Sequence, residues 1–204
     1  LFVLTVCDIK GVSTDAWNNW KSSLLDSLYF QTLQLVSTDV KVETRSERIN
    51  AAKKKLEGYL QGFEKQEIKK ETSRHFDAYW LVLDTTTQKL IAKMINSLEQ
   101  DPLQIQPSYD SERDITKIIF VMEDHPGIFS RLAGALAIAS ANVIDAKTFT
   151  TKDGIANFIF WIQDNLGKTY DERKTKRLLD TVKKALSGEI ITKSILDKQD
   201  KIKD

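Results

Sequence analysis

The sequence predicts an α+β protein: a helical N-terminal segment followed by a ferredoxin-like βαββα domain whose last strand is missing. Three observations predict it. Apolar residues recur at helical spacing from Leu1 to about residue 100, a stretch with two prolines then interrupts the pattern, and beyond it β-branched runs alternate with amphipathic ones.

The elements follow in order. Leu1, Leu4 and Thr5 recur at helical spacing before Asp8, and Gly11 is expected to break that first helix. Ser13, Thr14 and Asp15 offer caps for a second helix, whose stripe of Trp17, Trp20, Leu24 and Leu28 reads as core rather than a cofactor box. A third helix is expected from about Arg45 to Leu60 on Ile49, Ala52, Leu56 and Leu60. The stretch 64–73 is charged and helix-prone, Tyr79 to Leu83 is a short apolar run, and a further helix is expected from about Thr86 to Leu98. The basic runs Lys53-Lys54-Lys55 and Lys69-Lys70 read as solvated helix faces.

Pro102, Pro107 and Ser108 mark residues 101–113 as a linker. After it come an expected strand at Thr116–Met122, a helix at Ile128–Ala139, a strand at Asn142–Thr150, turn chemistry in Lys152-Asp153-Gly154, a strand at Ile155–Ile162 and an amphipathic helix at Asp171–Leu186 ending at Gly188. In a ferredoxin-like unit the absent fourth strand would pair with the first, so the edge of Thr116–Met122 is expected to be open. Ile190–Leu196 could supply that strand, but Lys193, Asp197, Lys198 and Lys201 favour a polar helical tail over 190–204. The expected organisation is therefore 1–100 helical, 101–113 linker, 114–189 regulatory domain and 190–204 tail.

Composition bounds the function. Of 204 residues, 41% are hydrophobic and 29% charged, which is ordinary for a globular chain able to bury a core, and a net charge of +1 gives no global reason to expect nucleic acid or a membrane surface. No apolar run approaches the roughly 18 residues of a transmembrane helix. The single cysteine, Cys7, cannot pair within the chain, which fits a cytoplasmic setting. Leu1 opens an apolar run without Met or a cap, so the chain reads as an internal piece of a longer one.

The chemistry concentrates in Glu123-Asp124-His125-Pro126-Gly127-Ile128-Phe129. A strand ends, Pro126 and Gly127 turn the chain, and a helix begins at once. The free N–H groups of its first turn suit a carboxylate, Gly127 allows close approach to the backbone, and Asp124 suits an ammonium group. A small zwitterion fits both. The competing reading is that Asp124 only caps the helix and Pro-Gly only makes the turn; for Asn142, it is a left-handed turn residue entering the strand.

Asp-His-Pro-Gly-Ile-Phe at 124–129, Leu-Ala-Gly-Ala-Leu-Ala at 132–137 and Ala-Asn-Val-Ile-Asp-Ala at 141–146 resemble the ACT domain. That resemblance implies a regulatory module binding amino acids between paired copies, with Asp124, His125, Pro126, Gly127 and Ile128 in the ligand loop and Asn142, Val143 and Ile144 on the facing strand. Phe149-Thr150-Thr151-Lys152-Asp153-Gly154, Asn157 to Asp164 and Ala185-Leu186-Ser187-Gly188 are similar to the first of two ACT copies in the bifunctional PII uridylyltransferase/uridylyl-removing enzymes. Independently, Leu4 to Lys10 and Trp17-Asn18-Asn19-Trp20-Lys21 resemble the last helices of that family's HD phosphohydrolase domain, and Tyr79-Trp80-Leu81 its connector to the ACT domain.

What the resemblance implies is a glutamine-sensing region of an enzyme that transfers UMP from UTP to PII signalling proteins and hydrolyses it from PII-UMP. Implied with it are Mg2+ as cofactor, a divalent metal at the HD site with Asp8 as one ligand, a second ACT domain in the same chain, and a possible PII-docking role for the lysine runs. Asp8 lacks partner ligands here, and its plain reading is a polar residue near a helix end. His75-Phe76-Asp77 does not form an adjacent His-Asp pair, so His75 reads as a packing or surface residue. His125 departs from the Arg or Gln frequent at its position. Two other readings stay open: an HD/ACT guanosine tetraphosphate synthetase/hydrolase, and a non-catalytic amino-acid-binding module.

Overall fold

The structure, a computed structural model, describes residues 1–13, 16–37 and 43–189. The capping residues Thr14 and Asp15, the expected strand or helix at Ile190–Leu196 and the rest of the 190–204 tail lie outside these residues. Six helices lead the described chain: α1 (Phe2–Val12), α2 (Asn19–Ser37), α3 (Arg45–Tyr59), α4 (Lys65–Arg74), α5 (Asp77–Val82) and α6 (Thr85–Asn96). Then come β1 (Leu103–Asp110), β2 (Ile115–Glu123), α7 (Ile128–Ile138), β3 (Asn142–Thr150), β4 (Ile155–Gln163) and α8 (Glu172–Leu186). The architecture is α+β.

The expected linker is instead a strand. β1 lies across 103–110 and pairs antiparallel with β2, from Leu103 opposite Met122 to Asp110 opposite Ile115. The sheet order is β1-β2-β4-β3, so β1 occupies the slot beside β2 that a fourth strand would fill in a ferredoxin-like unit. The edge expected to be open is thus covered by chain arriving from the N-terminal side. Pro102 and Pro107 concealed this strand, yet Pro107 is tolerated because β1 is an edge strand with a partner on one side only. Leu103 and Ile105, two residues apart, turn the same way and pack on the core.

The sheet is covered on both faces. Ile118, Phe120 and Met122 of β2 and Phe158, Phe160 and Ile162 of β4 meet Leu132, Leu136, Leu178 and Val182 of α7 and α8. The alternate residues, Ile119, Val121 and Ile159, meet Leu56 of α3, Tyr79 and Trp80 of α5, and Ile91 and Ile95 of α6. A strand buried on both sides reads as an almost continuous apolar run, and Ile115–Met122 does so with Lys117 as its one charge. Burying one such side chain contributes about 1.5–3 kcal/mol, so each layer supplies a real share of stability.

Local signals account for several boundaries. Thr44 and Glu47 form a reciprocal capping box ahead of α3, whose Ile49 and Leu56 are buried, as is Leu60 just past its end. Asp171 accepts the Lys174 amide at 2.7 Å, starting α8, whose Thr175, Leu178, Val182 and Ala185 recur by three and four along its buried side. α1 does not break at Gly11 but continues to Val12. α2 departs further from expectation. It begins at Asn19, after Trp17, and the supposed core residues Leu24 and Leu28 are exposed; neither α1 nor α2 has a buried residue. Trp20 does reach the sheet, its ring 6.3 Å from that of Trp161.

Candidate effector site

The loop between β2 and α7 is built around one left-handed residue. Gly127, at φ 85°, is the residue at the head of α7, and any side chain there would be strained whatever the space around it. The Arg131 amide closes the first helical bond on the Gly127 carbonyl at 3.1 Å, while the Ile128 amide donates back to the His125 carbonyl at 3.2 Å. The amides of Phe129 and Ser130 have no acceptor among the described residues. Asp124 does not cap the helix: the head of α7 has no side-chain cap, and the Asp124 carboxylate instead accepts the Thr150 hydroxyl at 3.2 Å.

Residues 124–127 are exposed, and with Ile128, Phe129 and Phe158 they bound a shallow recess of about 340 Å³. The Phe129 ring stacks on Phe160 at 5.8 Å and approaches Phe158 at 6.2 Å, leaving 45% of the residue open to solvent. His125 lies 3.9 Å from Glu123, a surface pair of small energetic weight. The recess therefore offers one carboxylate and an apolar wall, close in sequence to the two unbonded amides at the helix head. That set suits a zwitterion with a short side chain.

The other expected ligand residues are elsewhere. Asn142 pairs with Gln163 at one end of the β3–β4 ladder, whereas Glu123, just before the loop, pairs with Ile155 at the opposite end of β4. Eight residues of strand separate these rows, about 26 Å at 3.3 Å per residue. Asn142, Val143 and Ile144 therefore do not face the loop within one copy. They sit on β3, whose outer edge has no strand partner among the described residues. Asn142 is not the turn residue either, because the left-handed position is Ser140, at φ 57°.

The loop is tied to the helical connector, α3 to α6, through the β3–β4 turn. The Asp124 amide donates to the Gly154 carbonyl at 2.8 Å. One residue earlier, the Asp153 carboxylate accepts from Arg74 Nη2 at 2.9 Å, and the Lys152 amide and Nζ donate to the carbonyls of Arg74 at 2.9 Å and Ser73 at 2.7 Å. Burial pushes the Asp153 carboxyl up, but the Thr151 hydroxyl and Arg74 outweigh it and hold its pKa below the ordinary 3.8. Behind it, Arg74 Nη1 lies 3.3 Å from Glu71, and His75 Nε2 bonds Glu71 at 2.8 Å while its ring stacks on Tyr79 at 3.6 Å. His75 is a buried packing residue. Burial, with Glu71 adding to it, pushes the Tyr79 phenol well above its usual range. Sequence reasoning missed Thr150, Arg74 and Asp153 as a set, because 79 residues separate the last two and only strand register brings Thr150 to Asp124.

Asp8 lies exposed on α1, and the described residues contain no group of three His, Cys, Asp or Glu side chains able to hold a metal ion. No described helix is long and apolar enough to cross a membrane.

Residues 116–185 match the ACT domain family. A bifunctional uridylyltransferase/uridylyl-removing enzyme of Cereibacter sphaeroides is 42% identical over 203 residues, taking in all of this chain and 22% of its own length. The similarly named protein of Ruegeria pomeroyi is 43% identical over 207 residues, again all of this chain and 23% of its own. That of Azospirillum brasilense is 38% identical over 194 residues, 93% of this chain and 21% of its own. The chain spans about a fifth of the length of these relatives.

Proposed function

We propose, for a chain that carries an ACT domain and is homologous along its full length to part of the bifunctional uridylyltransferase/uridylyl-removing enzymes, that it is the amino-acid-sensing region of such an enzyme, with glutamine as effector. The whole enzyme would transfer UMP from UTP to PII signalling proteins with Mg2+, and remove it from PII-UMP at an HD-type metal site, in the cytoplasm. The relatives' names favour this over guanosine tetraphosphate turnover.

One observation carries the reading. The two unbonded amides head α7 just after the loop that holds Asp124, and the Asp124 amide is itself bonded to the turn that Arg74 grips from the connector. The glutamine carboxylate would take the amides and its ammonium group Asp124, while the side-chain amide reaches Thr150 or a second ACT copy beyond this chain. With Asn142–Ile144 about 26 Å from the loop along the ladder, a partner copy is the natural source of a facing strand. Sensing would reach catalytic domains because glutamine binds one arrangement of ACT domain and connector more tightly than another. Asp8 supplies at most one metal ligand, so no catalytic step is assigned to the described residues.

Calorimetric titration of the complete C-terminal region with glutamine, glutamate and other amino acids tests this. Glutamine alone should give saturable heat, and Asp124→Ala should weaken it at least about tenfold, or 1.4 kcal/mol, without lowering the melting temperature. Glutamine binding that is intact in Asp124→Ala would remove the loop from the effector site.

A further inference from the structure

A cleft of about 460 Å³ lies at the far end of the sheet from the α7 loop, where the head of α2 meets the β1–β2 turn. We propose that it is a binding site for a nucleoside monophosphate. The site stands independently of the glutamine reading, since it shares no lining residue with the loop recess. Ile115 in the cleft and Glu123 before the loop are opposite ends of β2, about 26 Å apart at 3.3 Å per residue.

The volume falls in the range of small-molecule sites, roughly 300–1,000 Å³. Three aromatic rings from separate elements line it: Trp20 of α2, Tyr109 of β1 and Trp161 of β4. The two indoles lie 6.3 Å apart at 37°, and Tyr109 is 48% exposed. Trp20 comes from outside the ACT domain and is held in place through its neighbour. Asn19 Nδ2 donates to the Asp114 carboxylate at 2.7 Å, and Lys168 Nζ donates to the same carboxylate at 3.1 Å.

Polar groups border the aromatic wall. Arg113 and Lys117 are the cations, and Lys117 Nζ spends one proton on the Thr87 hydroxyl at 3.1 Å. Asp110 is already engaged: it accepts the Arg113 amide at 3.0 Å and lies 3.7 Å from Arg113 Nε. The Glu112 carboxylate and the Ser111 hydroxyl make no hydrogen bond or ion pair among the described residues.

Ligand chemistry follows from that set. A nucleobase of any kind stacks on aromatic side chains through its π-face. A phosphate suits Arg113 and Lys117, and ribose hydroxyls donate to a free carboxylate such as Glu112. An organic cation also suits an aromatic wall. Here, however, Lys147 Nζ already stands 5.0 Å from the centre of the Trp161 ring, and Arg113 and Lys117 would repel a further positive charge. A plain hydrocarbon would desolvate the charges without pairing them. Because Trp20 and Asn19 adjoin on α2, an occupant stacked beside Trp20 would bear on the contact that seats α2 against the ACT domain.

The full 204-residue chain is titrated calorimetrically with AMP, GMP, CMP and UMP, and with the four corresponding nucleosides. At least one nucleotide should bind saturably, and about tenfold more tightly than its nucleoside, the margin being contributed by the phosphate. Tyr109→Ala should weaken binding about tenfold by removing one stacking surface. Arg113→Gln should narrow the margin between nucleotide and nucleoside, while Asp124→Ala changes neither affinity. Absence of binding by all four nucleotides at about 10 mM would overturn the proposal. So would equal affinity for nucleotide and nucleoside, or affinity unchanged in both Tyr109→Ala and Arg113→Gln, which are at exposed residues. A short single-stranded oligonucleotide that binds more tightly than any mononucleotide would overturn it in favour of nucleic acid. Failure of glutamine to bind would leave these results untouched and would count only against the α7 loop.

Discussion

The two faces of the sheet are covered by helices in different ways. On the α7–α8 face, Phe120, Phe160, Leu132, Leu136 and Val182 are each at most 1% exposed, and the polar groups among them are bonded: the Tyr170 hydroxyl donates to the Ala139 carbonyl, the Thr116 hydroxyl accepts the Tyr170 amide and the Thr175 hydroxyl donates to the Asp171 carbonyl, each at 2.9 Å. On the connector face, aromatic rings alternate with buried charge: Glu71, Arg74 and His75 lie among Tyr79, Trp80 and Phe149. The five buried side-chain polar atoms without a protein hydrogen-bond partner, among the described residues, belong to Arg74, Tyr79, Trp80, Gln88 and Asn157. All five residues are on the connector side. One face is packed for stability, whereas the other holds groups that a small displacement could pair differently. The proposed sensing role requires that second kind of interface to have two arrangements of similar energy.

Phe160→Ala should break the first face most severely. The side chain is 1% exposed and packs edge-on to Phe120 at 6.0 Å, so its loss should cost about 4 kcal/mol in urea denaturation. A loss below about 1 kcal/mol would mean that the α7–α8 face is not the tightly packed one. Arg74→Ala tests the other face. It leaves Glu71, 5% exposed, with His75 as its remaining partner and should cost about 3 kcal/mol. Hydrogen exchange should then rise in α3–α6 while α7 and α8 stay protected. Equal loss of protection on both faces would erase the distinction between them.

How much of this was legible in the sequence depended on the range of the interaction. Ile49, Leu56 and Leu60 announce α3, and the stripe from Thr175 to Ala185 announces α8, because helical periodicity is local. β1 was not legible, since Pro107 argues against a strand unless its edge position is already known. Leu24 and Leu28 satisfy helical spacing yet lie exposed, because periodicity shows that a face is apolar and not what covers it. The loop at 124–128 was legible as Pro-Gly before a helix. That Asn142 belongs to the far end of the sheet required the β4 register, and the Arg74–Asp153 bridge required knowing that the connector folds back over the sheet.

That bridge gives the connector face a pH signature. The Asp153 carboxyl is held below its ordinary 3.8, so its contribution to stability is fully present above that value and is lost as pH falls through the lower folded-state value. Acid titration followed by tryptophan fluorescence should show Trp80 changing its environment in this window, and Asp153→Asn should remove that step. A step that is intact in Asp153→Asn would assign it to another carboxylate. Burial also opposes the ionised form of Asp164, on the opposite side of the domain, but the amides of Leu166 and Lys168 and the Lys174 ammonium hold its pKa low. The contrast between faces is therefore best read as the difference between wild type and Asp153→Asn.

The smallest effect is the sharpest test of unequal satisfaction. Tyr79 is 1% exposed, its hydroxyl has no protein partner, and its ring stacks on His75 at 3.6 Å and meets Trp80 and Phe149 edge-on at 5.2 and 5.6 Å. Tyr79→Phe keeps every one of these ring contacts and removes only the oxygen. Deleting a buried hydroxyl that makes no bond relieves its desolvation, so stability should stay level or rise by up to about 1 kcal/mol. The comparison variant is Tyr170→Phe, where the lost hydroxyl does bond the Ala139 carbonyl at 2.9 Å and the expected change is a loss of about 1 kcal/mol. Opposite signs for the same chemical change would place the unsatisfied polar groups on the connector side. A loss of more than about 1 kcal/mol in Tyr79→Phe would mean that the hydroxyl is bonded in solution and the connector face as well satisfied as its counterpart.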